Sequence, residues 1–146
     1  MSERTFDPRD TANRASLSVR EVAERFIELF HHQDNPGEAF RCWVHPGYIQ
    51  HNPNAPTGRD ESMAFLVNAV RNNPELTHDV KRVIHGEEKD GEGLVAVHHH
   101  FRRTSGERGW AVVDIMRIKD GYVVEHWDVM QPVPDPAASK NANGMF

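Results

Sequence analysis

The residues with the clearest chemical potential lie near the end of the chain, in the stretch YVVEHWDVMQ at residues 122–131. Side chains alternate along a β-strand, so His126 and Asp128 would lie on one face of it. An imidazole and a carboxylate on an enclosed face can act as general acid and base. The alternative is a strand end exposed to water, where the two groups form an ordinary ion pair.

The preceding stretch, WAVVDIMRIK, is joined to this strand by Lys119-Asp120-Gly121. We expect a three-residue hairpin loop with Gly121 in the left-handed conformation. Asp114 then lies opposite His126, and Asp128 is its diagonal neighbour. The residues predicted to share this face are Trp110, Val112, Asp114, Met116, Tyr122, Val124, His126 and Asp128. The pattern predicts a mostly apolar face that ends in two carboxylates and an imidazole.

Further histidines precede this hairpin, in the run His98-His99-His100. By alternation His98 and His100 lie on one face and His99 on the other. If the turn TSGERG keeps the pairing in phase, His98 and His100 border Asp114. An alternative is a metal site, because two histidines two residues apart on a strand can converge on an ion with His51 or an aspartate as a third ligand.

The segment YIQHNPN at residues 48–54 forms a second polar cluster, in which Tyr48 and Gln50 share one face and Ile49 and His51 the other. We take Asp128, Asp114 and His126 as candidate catalytic residues. The candidate substrate-binding residues are Tyr48, His51, His98, His100, Trp110, Val112 and Met116.

Three helices are expected to come before the strands. Ser18 and Glu21 form a capping box ahead of an amphipathic helix that reaches about Gln33. Asn35-Pro36 begins a short second helix that ends near Trp43. A third helix follows Gly58 and stops before Pro74. Its predicted buried stripe consists of Met63, Leu66, Val67 and Val70.

After Pro74 the pattern changes to strands separated by short turns, which favours antiparallel hairpins. Helices followed by a meander predict an α+β fold, a cone-shaped curved antiparallel sheet with three helices enclosing a pocket. We expect one domain over residues 1–146, with an N-terminal extension at 1–17 and an extended C-terminal tail at 132–146. The apolar end of the tail, Met145-Phe146, has the character needed to dock on the body or on a partner subunit.

Composition excludes several classes of function. The chain has a net charge of −5 and no long basic run, which argues against nucleic acid as a partner. No apolar stretch approaches the roughly 18 residues of a membrane span. Cys42 is the only cysteine, so no intramolecular disulfide is possible and a reducing compartment is natural. We therefore expect a cytoplasmic protein that acts on a small molecule.

Several motifs together resemble one family. The segments YIQHNP, VAVHHH, VVDIMRIKDGYVVEHWDVMQPVP and NANGMF look like the SnoaL-like polyketide cyclase group of the nuclear-transport-factor-2-like superfamily, and especially its members that catalyse aldol condensations. The resemblance extends from Ser18 to Phe146. It implies an α+β cone with a deep pocket, and commonly a homodimer formed through the outer face of the sheet.

The resemblance also implies residue roles. In the cyclases, an aspartate of the EHWD segment is the general acid/base of an aldol ring closure that uses no metal or organic cofactor, and this role falls on Asp128. A second pocket position, histidine in the cyclases, is Asp114 here, so the polyketide substrate is not carried over. We expect proton transfer next to the carbonyl of a small hydrophobic molecule, as in a cyclase, isomerase or lyase, with His126, His98 or His100 as the donor to oxygen. The alternatives are a histidine-ligated metal enzyme and a non-catalytic binder of a hydrophobic molecule.

Overall fold

A sheet of five strands forms the frame of the molecule. The computed structural model describes residues 6–146, so the first five residues of the predicted extension lie outside the described residues. The strands are β1 (Val44–Gln50), β2 (Thr77–His85), β3 (Glu92–Arg102), β4 (Trp110–Lys119) and β5 (Tyr122–Pro132). Their order across the sheet is β1-β5-β4-β3-β2, and the sheet does not close on itself.

The sheet is mixed, which corrects the prediction of a purely antiparallel one. Strands β2 to β5 pair antiparallel, while β1 runs parallel to β5. Hairpin connections force antiparallel pairing, but β1 enters the sheet from a helix and is followed by a helix, so no hairpin constrains its direction. The predicted α+β class, with three helices on a curved sheet, is confirmed.

The helices begin where their capping signals predict. Helix α1 (Val19–Ile27) starts at a capping box in which Ser18 Oγ accepts the Glu21 N–H and Glu21 accepts the Ser18 N–H, at 3.1 and 2.8 Å. A π-helical turn, Glu28–His32, extends it. Helix α2 (Pro36–Trp43) is capped by the Asn35 side chain, and α3 (Arg59–Asn72) follows Gly58. None of the helices within residues 6–146 is long and apolar enough to cross a membrane.

The hydrophobic core lies between α1, α2 and the inner face of the sheet. Among its fully buried members are Val22, Leu29, Phe40, Trp43, Val95, Val97, Met116, Ile118 and Val123. On β3 the residues that enter this core are odd-numbered. This parity fixes which of the three consecutive histidines faces inward.

Helix α3 does not bury the predicted stripe. Met63, Leu66, Val67 and Val70 are only half-buried, and Ser62 is its one fully buried residue. The apolar side of the helix only partly packs on the core, through Met63 and Leu66, because Leu66 and Val70 also line a cavity. The helix therefore serves as a cover.

The β4–β5 hairpin differs from its prediction in two respects. The loop has two residues, Asp120 and Gly121, both with positive φ (50° and 81°), as in a type I′ turn. A β-bulge then shifts the register, so that Asp114 pairs with Asp128 and Met116 with His126.

The bulge explains which predicted positions reach the inner face. The two-residue loop alone would have placed His126 and Asp128 on the face opposite to Asp114, but the extra residue of the bulge restores the alternation. Tyr122 lies before the bulge and Val124 is its extra residue, and both point to the outer face, beside Arg117. Their predicted place with Asp114 is wrong for that reason.

Arg14, from the segment before α1, packs against the turn of this hairpin. Its guanidinium lies over the rings of Trp43 and Tyr122, at 4.8 and 4.0 Å, and donates to the carbonyls of Gly121 and Cys42. The described part of the N-terminal extension therefore packs on the body of the protein.

Gly121 tests this contact. We expect Gly121→Ala to destabilise the protein by more than the ~1–2 kcal/mol of a left-handed alanine, because its Cβ would lie 2.7 Å from the Arg14 carbonyl oxygen. Gly106→Ala is the matched control, since Gly106 has the same φ of 81° and no atom near the added Cβ. Urea unfolding of both variants measures the difference, and equal losses would contradict the contact.

Candidate functional site

A cavity of about 670 Å³ lies between the inner face of the sheet and the helices. Its wall is largely apolar, with Phe26, Phe30, Phe40, Phe65, Val112 and Met116 among the residues that form it. The polar groups are concentrated on the strands. Tyr48, Trp110, Asp114, His126 and Asp128 all line the cavity, as the sequence predicts.

Asp114 is the centre of the polar cluster. One carboxylate oxygen, Oδ2, accepts N–H bonds from His99 Nε2 at 2.7 Å and from His31 Nε2 at 3.1 Å. The other, Oδ1, accepts from His126 Nε2 at 2.8 Å. An ionised carboxylate can only accept, so each imidazole must donate its Nε2 proton.

These contacts decide the charge of the carboxylate. Burial raises the pKa of Asp114, but hydrogen bonds from His126, His31 and His99 outweigh it and hold that pKa well below its usual range. Burial disfavours the charged form of His31 and lowers its pKa to about 4, although the interaction with Asp114 opposes this shift. Asp114 is therefore an anion at neutral pH and His31 is a neutral imidazole.

His126 carries the compensating positive charge. Its Nδ1 lies 2.7 Å from Gln50 Oε1, which also accepts the backbone N–H of Asn52 at 3.0 Å and must therefore be an oxygen. Both partners of His126 are acceptors, so both ring nitrogens carry protons. Burial opposes this charge, but the bond to Asp114 and its negative charge raise the pKa of His126.

Asp128 and Tyr48 face the cavity beside this ion pair. Asp128 Oδ2 accepts a hydrogen bond from Asn52 Nδ2 at 2.7 Å. The Tyr48 hydroxyl oxygen accepts Gln50 Nε2–H at 3.1 Å, which leaves its own proton for another partner. Burial, with the charges of Asp114 and Asp128, raises the pKa of Tyr48, so the phenol stays protonated.

Sequence reasoning missed His31 and His99. His31 is delivered by the π-helical turn, where the helix departs from the period of 3.6 residues and directs both Leu29 and His31 inward. No pattern in the sequence predicted that turn. His99 had a signal, because it alternates with Val95 and Val97, the more β-branched face of β3 and the face that belongs in a core.

His98 and His100 do not border Asp114. Val97 pairs with Asp114 and His99 with Val112, so odd-numbered residues of β3 face the cavity and even-numbered ones face outward. His98 contacts Arg82, and His100 bonds the Arg108 carbonyl. The prediction that they border Asp114 is therefore wrong, and neither of them lines the cavity in which substrate binding was expected.

The C-terminal tail covers these two histidines. The Phe146 ring stacks on His100 and His98 with centroid distances of 4.5 and 5.6 Å. The apolar end of the tail thus docks on the outer face of the sheet, one of the two locations that the sequence left open.

His51 also lies outside the cavity. Its ring stacks on Trp127 at 5.0 Å, and its Nε2 is 2.7 Å from Glu125 Oε2. It follows β1 on the side opposite to Gln50, as alternation requires. His51 therefore does not line the cavity in which substrate binding was expected, and it does not group with His98 and His100 as a set of metal ligands.

Within residues 6–146, two other groups have ligand atoms within 4.8 Å of one another: His31, His99 and Asp114, and Asp114, His126 and Asp128. The fit to a metal is poor. Nitrogen and oxygen ligands of a tetrahedral zinc lie about 3.3 Å apart, whereas these pairs hydrogen-bond at 2.7–3.1 Å. A metal-bound histidine also donates its second N–H, but the Nδ1 atoms of His31 and His99 are buried with no partner among the described residues.

A family model for the SnoaL-like domain matches residues 23–126, most of the chain. The chain belongs to the SnoaL-like domain family. The match includes the strands that carry His99, Asp114 and His126. A comparison with curated proteins finds no match.

Solved structures share the fold of this SnoaL-like domain at low sequence identity. TsrD from Streptomyces laurentii is 21% identical, with a TM-score of 0.54 over 77% of this chain and 87% of that one. IdmH from Streptomyces antibioticus, a proposed polyketide cyclase, is 19% identical, with a TM-score of 0.55 over 76% and 92%. A SnoaL-like protein of unknown function from Burkholderia thailandensis is 16% identical, with a TM-score of 0.59 over 84% and 98%.

The buried neutral His31 predicts a pH dependence of stability. Its pKa is about 4 in the folded protein against 6.5 when exposed, so only the unfolded chain takes up its proton between these values. The contribution of neutral His31 to the free energy of unfolding is present above pH 6.5 and is lost as the pH falls towards 4, by about 3 kcal/mol in all.

His31→Gln keeps a donor for Asp114 and removes the titrating group. We expect the unfolding free energy of this variant to fall less than that of wild type over this pH range, by chemical denaturation at several pH values. His45→Gln, at an exposed imidazole, is the control. If the unfolding free energies of wild type and His31→Gln fell equally with pH, His31 would not be the buried neutral group.

Proposed function

We propose that this SnoaL-like domain binds a small, largely apolar carbonyl compound in its cavity and moves a proton on the carbon next to the carbonyl. The observation that carries the proposal is the Asp128 carboxylate, which faces an apolar cavity beside a fixed imidazolium. Aldol-type cyclisation, isomerisation and related lyase steps all begin with such a proton transfer. The name of IdmH as a proposed cyclase supports this class of reaction here.

Asp128 acts as the general base. Its Oδ2 is held by the Asn52 amide at 2.7 Å, so the carboxylate keeps a fixed orientation towards the cavity. Asp114, its partner across the strands, cannot serve, because imidazole protons occupy both of its oxygens. The two carboxylates thus have separate roles, in which Asp114 sets the electrostatics and Asp128 takes the proton.

Tyr48 donates to the substrate oxygen. Removing a proton next to a carbonyl builds negative charge on that oxygen, which a preorganised donor stabilises. His126 was one of the three expected donors, with His98 and His100, but both of its N–H groups are engaged by Asp114 and Gln50. Tyr48 retains its O–H, and Gln50 holds the phenol oxygen at 3.1 Å.

His126 acts through charge rather than through proton donation. As an imidazolium beside Asp128, it stabilises the carboxylate before the reaction and the enolate that follows. The proposed chemistry needs no metal or organic cofactor, because base, donor and compensating charge all come from side chains.

Asp128→Asn tests the base. We expect deuterium exchange at the carbon next to the carbonyl of a bicyclic ketone such as tetralone, followed by proton NMR in D₂O, to slow by about 10²–10⁴-fold. The amide keeps the shape of the side chain and removes its basicity. Asp60→Asn, at an exposed residue of α3, is the control. Exchange within about tenfold of wild type would remove Asp128 from this role.

Tyr48→Phe tests the oxygen donor. We expect the same exchange rate to fall by about 10²-fold, the effect of removing one preorganised donor. Tyr122→Phe is the matched control, since the only other tyrosine lies on the outer face of the sheet. A loss of less than threefold in Tyr48→Phe would contradict the donor role.

A non-catalytic binder is the rival interpretation, and the same assay separates it. A binder would retain the ketone without exchanging its protons. Exchange that is absent from the wild-type protein, although the ketone binds in the cavity, would favour that interpretation.

A further inference from the structure

The cavity has a second charged feature at its mouth, far from the carboxylates. Trp110 lines the cavity at the start of β4, four residues before Asp114. At the rise of a β-strand, this separates the two backbone positions by about 13 Å. The side chain that lies over Trp110 is Arg103, whose guanidinium carbon is 4.5 Å from the ring centroid.

Arg103 is the only lysine or arginine among the described residues that line the cavity. Its side chain is 53% exposed, and its ion-pair partner among the described residues is Glu107, whose Oε1 lies 3.4 Å from Nη2. The other carboxylate oxygen of Glu107 accepts the backbone N–H groups of Arg103 and Thr104 at 2.8 and 3.3 Å. The guanidinium has five N–H donors, so it retains capacity for a ligand.

The cavity also has apolar lining residues that reach the surface. Phe65 and Met130 line the cavity and yet are 44% and 41% exposed. Hydrocarbon surface therefore continues from the interior to the mouth, where it meets a positive charge. At the inner end the charges are those of Asp114, Asp128 and His126. The cavity thus has an anionic base at one end and a cation at the other.

We propose that the mouth is an anion subsite, in which Arg103 binds a carboxylate, sulfonate or phosphate group at the far end of an elongated apolar ligand. The inference rests on the proposed function for its inner end, where the carbonyl meets Asp128. A ligand with both groups spans on the order of 13 Å, the strand distance between the two ends. Repulsion from Asp128 and attraction to Arg103 both set the same orientation of such a ligand.

Two fluorescent probes of similar shape test the subsite. Anilinonaphthalene sulfonate is an apolar anion, and N-phenylnaphthylamine lacks the sulfonate. We expect Arg103→Gln to weaken binding of the sulfonate by about tenfold, the usual contribution of a charge-assisted hydrogen bond, and to change binding of the neutral probe by less than about twofold. Arg103→Lys should recover part of the sulfonate affinity.

Glu107→Gln provides the opposite change. It keeps an oxygen for the two backbone N–H groups and removes the negative charge beside the guanidinium. We expect tighter binding of the sulfonate and unchanged binding of the neutral probe. Ala69→Trp, which fills the cavity under α3, should abolish binding of both probes and so locate them.

Three results would overturn the subsite. They are equal weakening of both probes in Arg103→Gln, no weakening of the sulfonate in that variant, and sulfonate binding that persists in Ala69→Trp. The probes report binding, while deuterium exchange in the ketone reports chemistry. A protein that selects the sulfonate through Arg103 but exchanges no deuterium keeps the subsite and loses the proposed function.

Discussion

The buried carboxylate of Asp114 is the interaction on which the site depends. It accepts N–H bonds from a helix residue, His31, and from two strand residues, His99 and His126. A carboxylate in such a place is strongly unfavourable unless it is compensated. Here the compensation comes from three elements at once, so their relative positions and the charge of the site are determined together.

This arrangement separates electrostatics from reactivity. The pair formed by Asp114 and His126 is saturated with hydrogen bonds, since Gln50 occupies the second nitrogen of His126. Asp128 and Tyr48 each have only one partner from this network and face the cavity. In the proposed function the saturated groups supply a constant field, and the unsaturated groups contact the ligand as base and donor.

Local signals in the sequence were sufficient for the elements and for part of the site. Capping residues located the helices, and alternation placed Asp114, His126 and Asp128 together. Alternation cannot count residues in a turn or detect a bulge, however, and here a short loop and a bulge compensated each other. On β3, Val97 pairs with Asp114, so the odd-numbered residues share its face and the inward histidine is His99. His31 depends on a π-helical turn, which arises from tertiary packing.

Helix α3 adds a thermodynamic consequence. Its apolar side is half-buried because part of it spans a cavity and only part of it packs on the core. A ligand that fills the cavity would complete that burial, at about 25 cal/mol for each Å² of apolar surface removed from water. Ligand binding and the local unfolding of this helix are therefore linked equilibria. The more tightly the cavity binds the apolar part of a ligand, the more that ligand stabilises helix α3 against local unfolding.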